Sequence, residues 1–219
     1  MREDLEKSEV GRDSLIQSAM MLFAVLGIVA AIWSNSFPRP FPLLELLLTV
    51  AAAAATREFG LPLPGKGFAS FVLGVVIFAI LRHGWAWGAL IAILGMPAGD
   101  LPLRRLGLRA AFVNAGHLTT GGTLIGFIYE RGLEGALGAA ALAPANAGPL
   151  LFLLVTLPLL VNATFYVELA ASSASIAWVD SRLTLRWEGV VYALSAALAL
   201  AWLLALATRH LVVNALEAM

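Results

Sequence analysis

Residues 15–33 read LIQSAMMLFAVLGIVAAIW, and only Gln17 and Ser18 interrupt their apolar character. A helix of about 20 residues at 1.5 Å per residue matches a bilayer core of ~30 Å. This stretch therefore predicts a membrane-spanning helix, and it sets the frame for the rest of the chain. Before it, residues 1–13 mix Arg2, Lys7 and Arg12 with Glu3, Asp4, Glu6, Glu9 and Asp13. That is a solvated end of helix-favouring composition, expected as a short amphipathic or frayed turn. It lacks the positive leader of a signal peptide.

After it, Pro38, Pro40 and Pro42 break the helix. A second apolar run goes from Phe41 to Ala55, carries Glu45 and is closed by Thr56-Arg57-Glu58. The stretch Leu61-Pro62-Leu63-Pro64-Gly65-Lys66-Gly67 predicts a turn with no regular helix. A third run, Phe68 to Leu81, and a fourth, Trp85 to Met96, flank Arg82-His83-Gly84. Each is short for a full crossing. Two readings stand: short helices in a locally thinned bilayer, or a hairpin shielded by protein. Asp100 to Arg109 is a polar turn with three arginines, read as a topology signal in contact with lipid headgroups. The fifth run is Ala110 to Tyr129, and a longer loop follows from Glu130 to Ala147. The sixth run, Pro149 to Ala171, contains Asn162 and Glu168. Asp180, Arg182, Arg186 and Glu188 mark the next loop, and the seventh run is Gly189 to Ala207. The expected fold is an all-α, polytopic membrane helix bundle of about seven transmembrane helices. Its expected parts are a solvated segment 1–13, one transmembrane domain 14–208 and a short tail 209–219.

Composition agrees. Of 219 residues, 60% are hydrophobic and 13% charged, and the mean hydropathy is +0.88. Soluble domains carry about 25% charged residues. Half that charge cannot cover a water-soluble globule. Lys+Arg and Asp+Glu both number 14, so no basic field exists to hold nucleic acid. With no cysteine, disulfides, thiolate metal sites and cysteine nucleophiles are excluded. The expected setting is the bilayer of a cell inner membrane. With seven crossings and a cytoplasmic amino end, the inside segments carry ten Lys and Arg and the outside segments four. Positive charge collects inside, which favours that orientation. Trp33, Trp85, Trp87, Trp178 and Trp187 fall near run ends and read as an aromatic belt, whereas Trp202 lies deeper.

The fifth run is the most informative. Ala115, Gly122 and Gly126 share one helix face, and small residues let another backbone approach closely. They serve packing inside this protein, or contact with another membrane subunit or a ligand. Asn114 and His117 lie three apart on a different stripe, with Thr119, Thr120 and Thr123 nearby. Intramembrane ionisable groups are costly and point to function. His117 serves an interhelical hydrogen bond, or a ligand or proton. A lone histidine is a poor metal signal, so no metal site is assigned. Asn162 and Glu168 on the sixth run pose the same choice, as does Glu45. No nucleophile elbow, phosphate loop, zinc-protease signature or paired-carboxylate motif occurs, so no enzyme activity is expected.

Several motifs carry a resemblance. They are Glu58 to Gly67 before an apolar hairpin, Gly99-Asp100, Ala111-Phe112-Val113-Asn114-Ala115-Gly116-His117, Gly126-Phe127-Ile128-Tyr129, Val161-Asn162-Ala163 and Leu185-Arg186-Trp187-Glu188. On these, residues 43–208 resemble the multi-span membrane-sensor domain found amino-terminal to bacterial cyclic-di-GMP enzymes, both HD-GYP phosphodiesterases and diguanylate cyclases. More loosely the chain is similar to substrate-binding components of energy-coupling-factor transporters. The resemblance implies a non-enzymatic ligand-binding or sensory membrane module. That sensor family continues into a catalytic domain, whereas this chain ends soon after its seventh run, so it reads as a module without its own output domain. His117 departs from the neutral polar residue the family pattern leads one to expect. Asn114, His117, Asn162 and Glu168 are the expected ligand-binding residues. The competing expectations are an accessory subunit of a larger membrane complex, joined through the fifth run, and a small-solute transporter component.

Overall fold

The computed structural model describes residues 2–38, 41–63, 67–172 and 178–217. Seven α-helices make up the described chain: α1 (Arg2–Trp33), α2 (Leu43–Glu58), α3 (Val72–His83), α4 (Trp85–Asp100), α5 (Leu108–Phe127), α6 (Ala147–Ser172) and α7 (Trp178–Glu217). Between α2 and α3 lies a small antiparallel hairpin, β1 (Gly60–Leu63) with β2 (Gly67–Ser70), pairing Gly60 with Ser70 and Leu63 with Gly67. The stretch expected to be a turn with no regular helix has none among its described residues, and a strand pair flanks its tip. Its tip, Pro64-Gly65-Lys66, lies outside the described residues, as do Arg39 and Pro40.

Three stretches are long and apolar enough to cross a membrane: Leu15–Trp33 of α1, Pro144–Glu168, which runs into and along α6, and Arg186–Arg209 of α7. The others fall short for two reasons. Helices α2, α3 and α4 have 16, 12 and 16 residues, below the roughly 20 that a bilayer core requires. Helix α5 has 20, but Gly, Thr, Asn and His dilute its hydropathy.

Where α3 and α4 sit explains their composition. Every residue from Val72 to Leu81 is buried, as are Trp85, Ala86, Trp87, Ile91 and Ala92. Of the two readings of this hairpin, the structure has the one shielded by protein. Its short irregular connections are tolerable because protein rather than lipid surrounds them. Gly84 joins the two helices at φ 97°, a left-handed conformation in which glycine carries no Cβ penalty. Trp85 and Trp87 are core residues, 2% and 1% exposed, and not belt residues. Trp33 is 90% exposed, as a belt residue would be. Trp202 stacks on Phe78 with ring centroids 4.2 Å apart.

The outward faces of α1, α2, α6 and α7 expose large apolar side chains, including Leu22, Leu44, Leu159 and Leu198. Lipid contact accounts for these faces; water would not. Both chain ends differ from expectation. Helix α1 runs unbroken through residue 13, and α7 runs unbroken through residues 180–188 and past residue 208. Arg, Lys and Glu are good helix formers, so a charged stretch need not end a helix.

Small residues set the helix spacing. A Cβ on Gly126 would lie 3.0 Å from Trp85 Cβ, and one on Gly116 would lie 2.9 Å from the Met20 carbonyl oxygen. Ala115 and Gly122 are buried, and Gly122 faces Val76. The Gly122 and Gly126 part of the seam is thus filled by this chain's own α3 and α4, and α1 packs on Gly116 beside it. Gly74 is tightest against backbone, its would-be Cβ lying 2.6 Å from the Ser195 carbonyl oxygen of α7. Gly74→Ala is expected to cost about 1–3 kcal/mol by overpacking. Thermal unfolding in detergent measures it; an unchanged midpoint would show that α3 and α7 can separate freely.

Candidate polar cavity

One end of the bundle gathers polar groups. The carboxyl ends of α2, α4 and α6 meet the amino ends of α5 and α7 there, with β2 beside them. Their side chains enclose a cavity of about 250 Å³. Arg57, Arg104, Asn114, His117, Asn162 and Glu188 line it, with Ser70 and Tyr192, among apolar walls that include Leu118, Val161 and Phe165. A second, larger recess of about 520 Å³ lies next to it and is lined by Gln17, Arg109, Asn114, Phe165 and Glu168. Asn114 and Phe165 belong to both.

Three hydrogen-bonded groups build the walls. In the first, Asp100 is fully buried at the end of α4. Arg57 reaches its Oδ1 with Nε at 2.7 Å and Nη2 at 2.6 Å, and Arg57 Nη1 donates to Ser70 Oγ at 2.8 Å. Arg104 Nη1 approaches the same Oδ1 at 3.5 Å, and Asn114 Nδ2 donates to Oδ2 at 2.9 Å. The polar turn read as headgroup contact thus sends its one carboxylate into the protein. The physical reason is the strand pair, which places Ser70 over Arg57 and closes that corner.

The second group joins three helices. His117 Nε2 lies 2.6 Å from Glu168 Oε2, and Gln17 Nε2 donates to Glu168 Oε1 at 2.8 Å. His117 Nδ1 lies 3.0 Å from Thr164 Oγ1, whose hydroxyl donates to the Val161 carbonyl at 2.9 Å. A hydroxyl has one proton to give, so Thr164 accepts from Nδ1–H. Nε2 and Oε2 lie at hydrogen-bond distance from each other. The third group is Asn162, whose Nδ2 donates to Glu188 Oε2 at 3.0 Å while Tyr192 donates its hydroxyl to Asn162 Oδ1 at 2.7 Å. Tyr166 also reaches Glu188, at 3.4 Å.

No protein-family model, curated protein or solved structure matches this chain.

The chain's own chemistry must therefore carry the reading. Asn114, His117 and Asn162 line one cavity, and Glu168 lines the adjoining recess while holding His117. All four positions picked out as polar groups in apolar runs converge at one end of the bundle. Glu45 does not join them. It pairs with Arg82 at 3.3 Å and His83 at 2.9 Å at the opposite end. Sequence reasoning missed Arg57, Ser70 and Tyr192, and it read Glu188 as a loop marker. Glu188 is buried on α7, 3% exposed. The signal was its place immediately before the apolar run, on the face shared with Tyr192 four residues on. Among the described residues no group of three or more His, Asp or Glu is placed to hold a metal ion.

Proposed function

We propose that this chain is a non-enzymatic, multi-pass membrane module that binds a small polar molecule in the cavity between Arg57, Asn114, His117, Asn162 and Glu188. One observation carries the reading: ionisable and amide side chains from separate helices converge on a hollow of about 250 Å³. These groups bond to one another across the helices and still leave a hollow between them. Polar groups inside a membrane protein are costly unless used. The size is slightly below the usual range for drug-sized ligands, which fits a small metabolite.

Several features support the wider setting. The apolar outer faces suit a bilayer, and three helices are long enough to cross one. In our reading the shorter helices complete a seven-helix bundle at membrane depth, with α3 and α4 sheltered inside. The cavity lies at the end that holds residues 57–63 and 100–109, where Arg57, Arg104, Arg105 and Arg109 collect. By the positive-inside rule that end is cytoplasmic, so the cavity opens to the cytoplasm of a cell inner membrane. The sensory role implied by the resemblance to membrane-sensor domains fits a ligand-occupied module of this kind. The accessory-subunit reading loses its expected contact, because α3 and α4 already cover Gly122 and Gly126 of the small-residue seam.

Native mass spectrometry after mild detergent extraction tests the proposal. The wild-type chain should leave alone with a bound small molecule. Asn162→Ala should leave without that mass while keeping its helical circular dichroism. Extraction with stoichiometric protein partners and no small molecule would overturn the reading in favour of an accessory subunit.

A further inference from the structure

We infer that the molecule bound in the cavity carries an oxyanion, a carboxylate or a phosphate, and that Arg57 is its seat. The inference rests on the ligand-binding reading above and narrows it. Arg57 is 5% exposed, yet it forms part of the cavity wall. A guanidinium has five N–H donors in a fixed fork. Asp100 and Ser70 engage three of them, through Nε, Nη2 and Nη1. Two N–H donors remain on a buried, permanently charged group. Buried donors require acceptors, and a charged donor requires them most.

The wall also separates the two members of the ion pair. Arg57 and Arg104 line the cavity, whereas the Asp100 carboxylate between them does not. Both Asp100 oxygens are turned to protein donors, Oδ1 to Arg57 and Arg104 and Oδ2 to Asn114. At this wall a molecule in the cavity therefore meets guanidinium; the carboxylate that does line the cavity is Glu188, whose Oε2 accepts from Asn162 and Tyr166. Guanidinium forks match carboxylate and phosphate oxygens in a planar, two-point geometry. Asn162 adds one further N–H, since its amide spends one on Glu188. Asp100 here plays the part of an orienting group, holding the guanidinium in the cavity wall.

Two sources could supply this chemistry, a soluble anion or a lipid headgroup, and one experiment separates them. The chain contains no cysteine, so Leu106→Cys, on the cavity wall, gives a single reactive thiol. The protein is reconstituted in phosphatidylcholine vesicles, and maleimide labelling is followed by mass. Millimolar inorganic phosphate or acetate should slow labelling at least fivefold, while chloride at equal ionic strength should not. Slowing by added phosphatidic acid but not by the soluble ions would assign the seat to a lipid headgroup. No slowing by any of them overturns the oxyanion inference, and the mass measurement above still decides whether a ligand binds at all. Arg57→Lys keeps a cation beside Asp100 but removes the fork. Measured against that variant's own unprotected rate, protection should be abolished; undiminished protection would overturn Arg57 as the seat.

Discussion

Asp100→Ala is expected to cost about 3–5 kcal/mol of stability, the usual consequence of removing one partner of a buried ion pair. The reason lies in what remains. Arg57 stays buried beside Ser70, with two of its three contacts gone. A guanidinium cannot deprotonate to escape, so α2 must move to hydrate it or the corner must open. Asn114 loses its acceptor in the same change. The companion experiment is the double variant Arg57→Met with Asp100→Leu. Replacing a whole buried pair by apolar residues of similar volume is often neutral or stabilising. The double variant should therefore recover most of the loss, yet lack protection by phosphate in the labelling assay. Unfolding in mixed micelles measures both. A loss under about 1 kcal/mol for Asp100→Ala would show that water already reaches the pair.

This corner also shows where the sequence is legible and where it is not. A polar residue inside a long apolar run stands out, because its cost in a membrane demands a use. Asn114, His117, Asn162 and Glu168 announce themselves in that way, and Gln17 is the strongest polar interruption of its run. Arg57 and Asp100 do not, because each stands where an apolar run gives way to polar turn residues, and there a charge looks solvated. What buries them is tertiary: the strand pair of residues 60–70 and the packing of α4 against α2, with Gly99 set tightly against Ala54 and Arg57. Helix count is legible for a similar reason, since proline, glycine and charge punctuate the runs. Crossing count is not. The composition of α3 is apolar because protein surrounds it, and lipid would select the same residues. Glu188 was hidden by a third effect. Four charged residues within nine positions resemble a loop, yet each is an acceptable helix residue, and α7 continues through them.

His117 and Glu168 should prove strongly coupled. Each alanine substitution alone is expected to cost about 1–3 kcal/mol, because each leaves the other's polar group without its partner in a largely enclosed site. The double variant should cost less than the sum by about 0.5–3 kcal/mol, the range for residues in direct contact. Geometry sets the expectation high in that range: the contact is 2.6 Å, and the two side chains are 4% and 14% exposed. The pair also joins three elements, since Glu168 holds Gln17 of α1 as well as His117 of α5. Its loss should therefore loosen α1 from the bundle first, and thiol labelling of Met20→Cys, on α1 against Gly116, should quicken in Glu168→Ala more than labelling of Leu106→Cys does. Additive single-variant losses would show that the two side chains are solvated separately. In that case His117 would serve the cavity through Thr164 alone, and the wall between the cavity and the recess beside Glu168 would be a packing surface rather than a polar one.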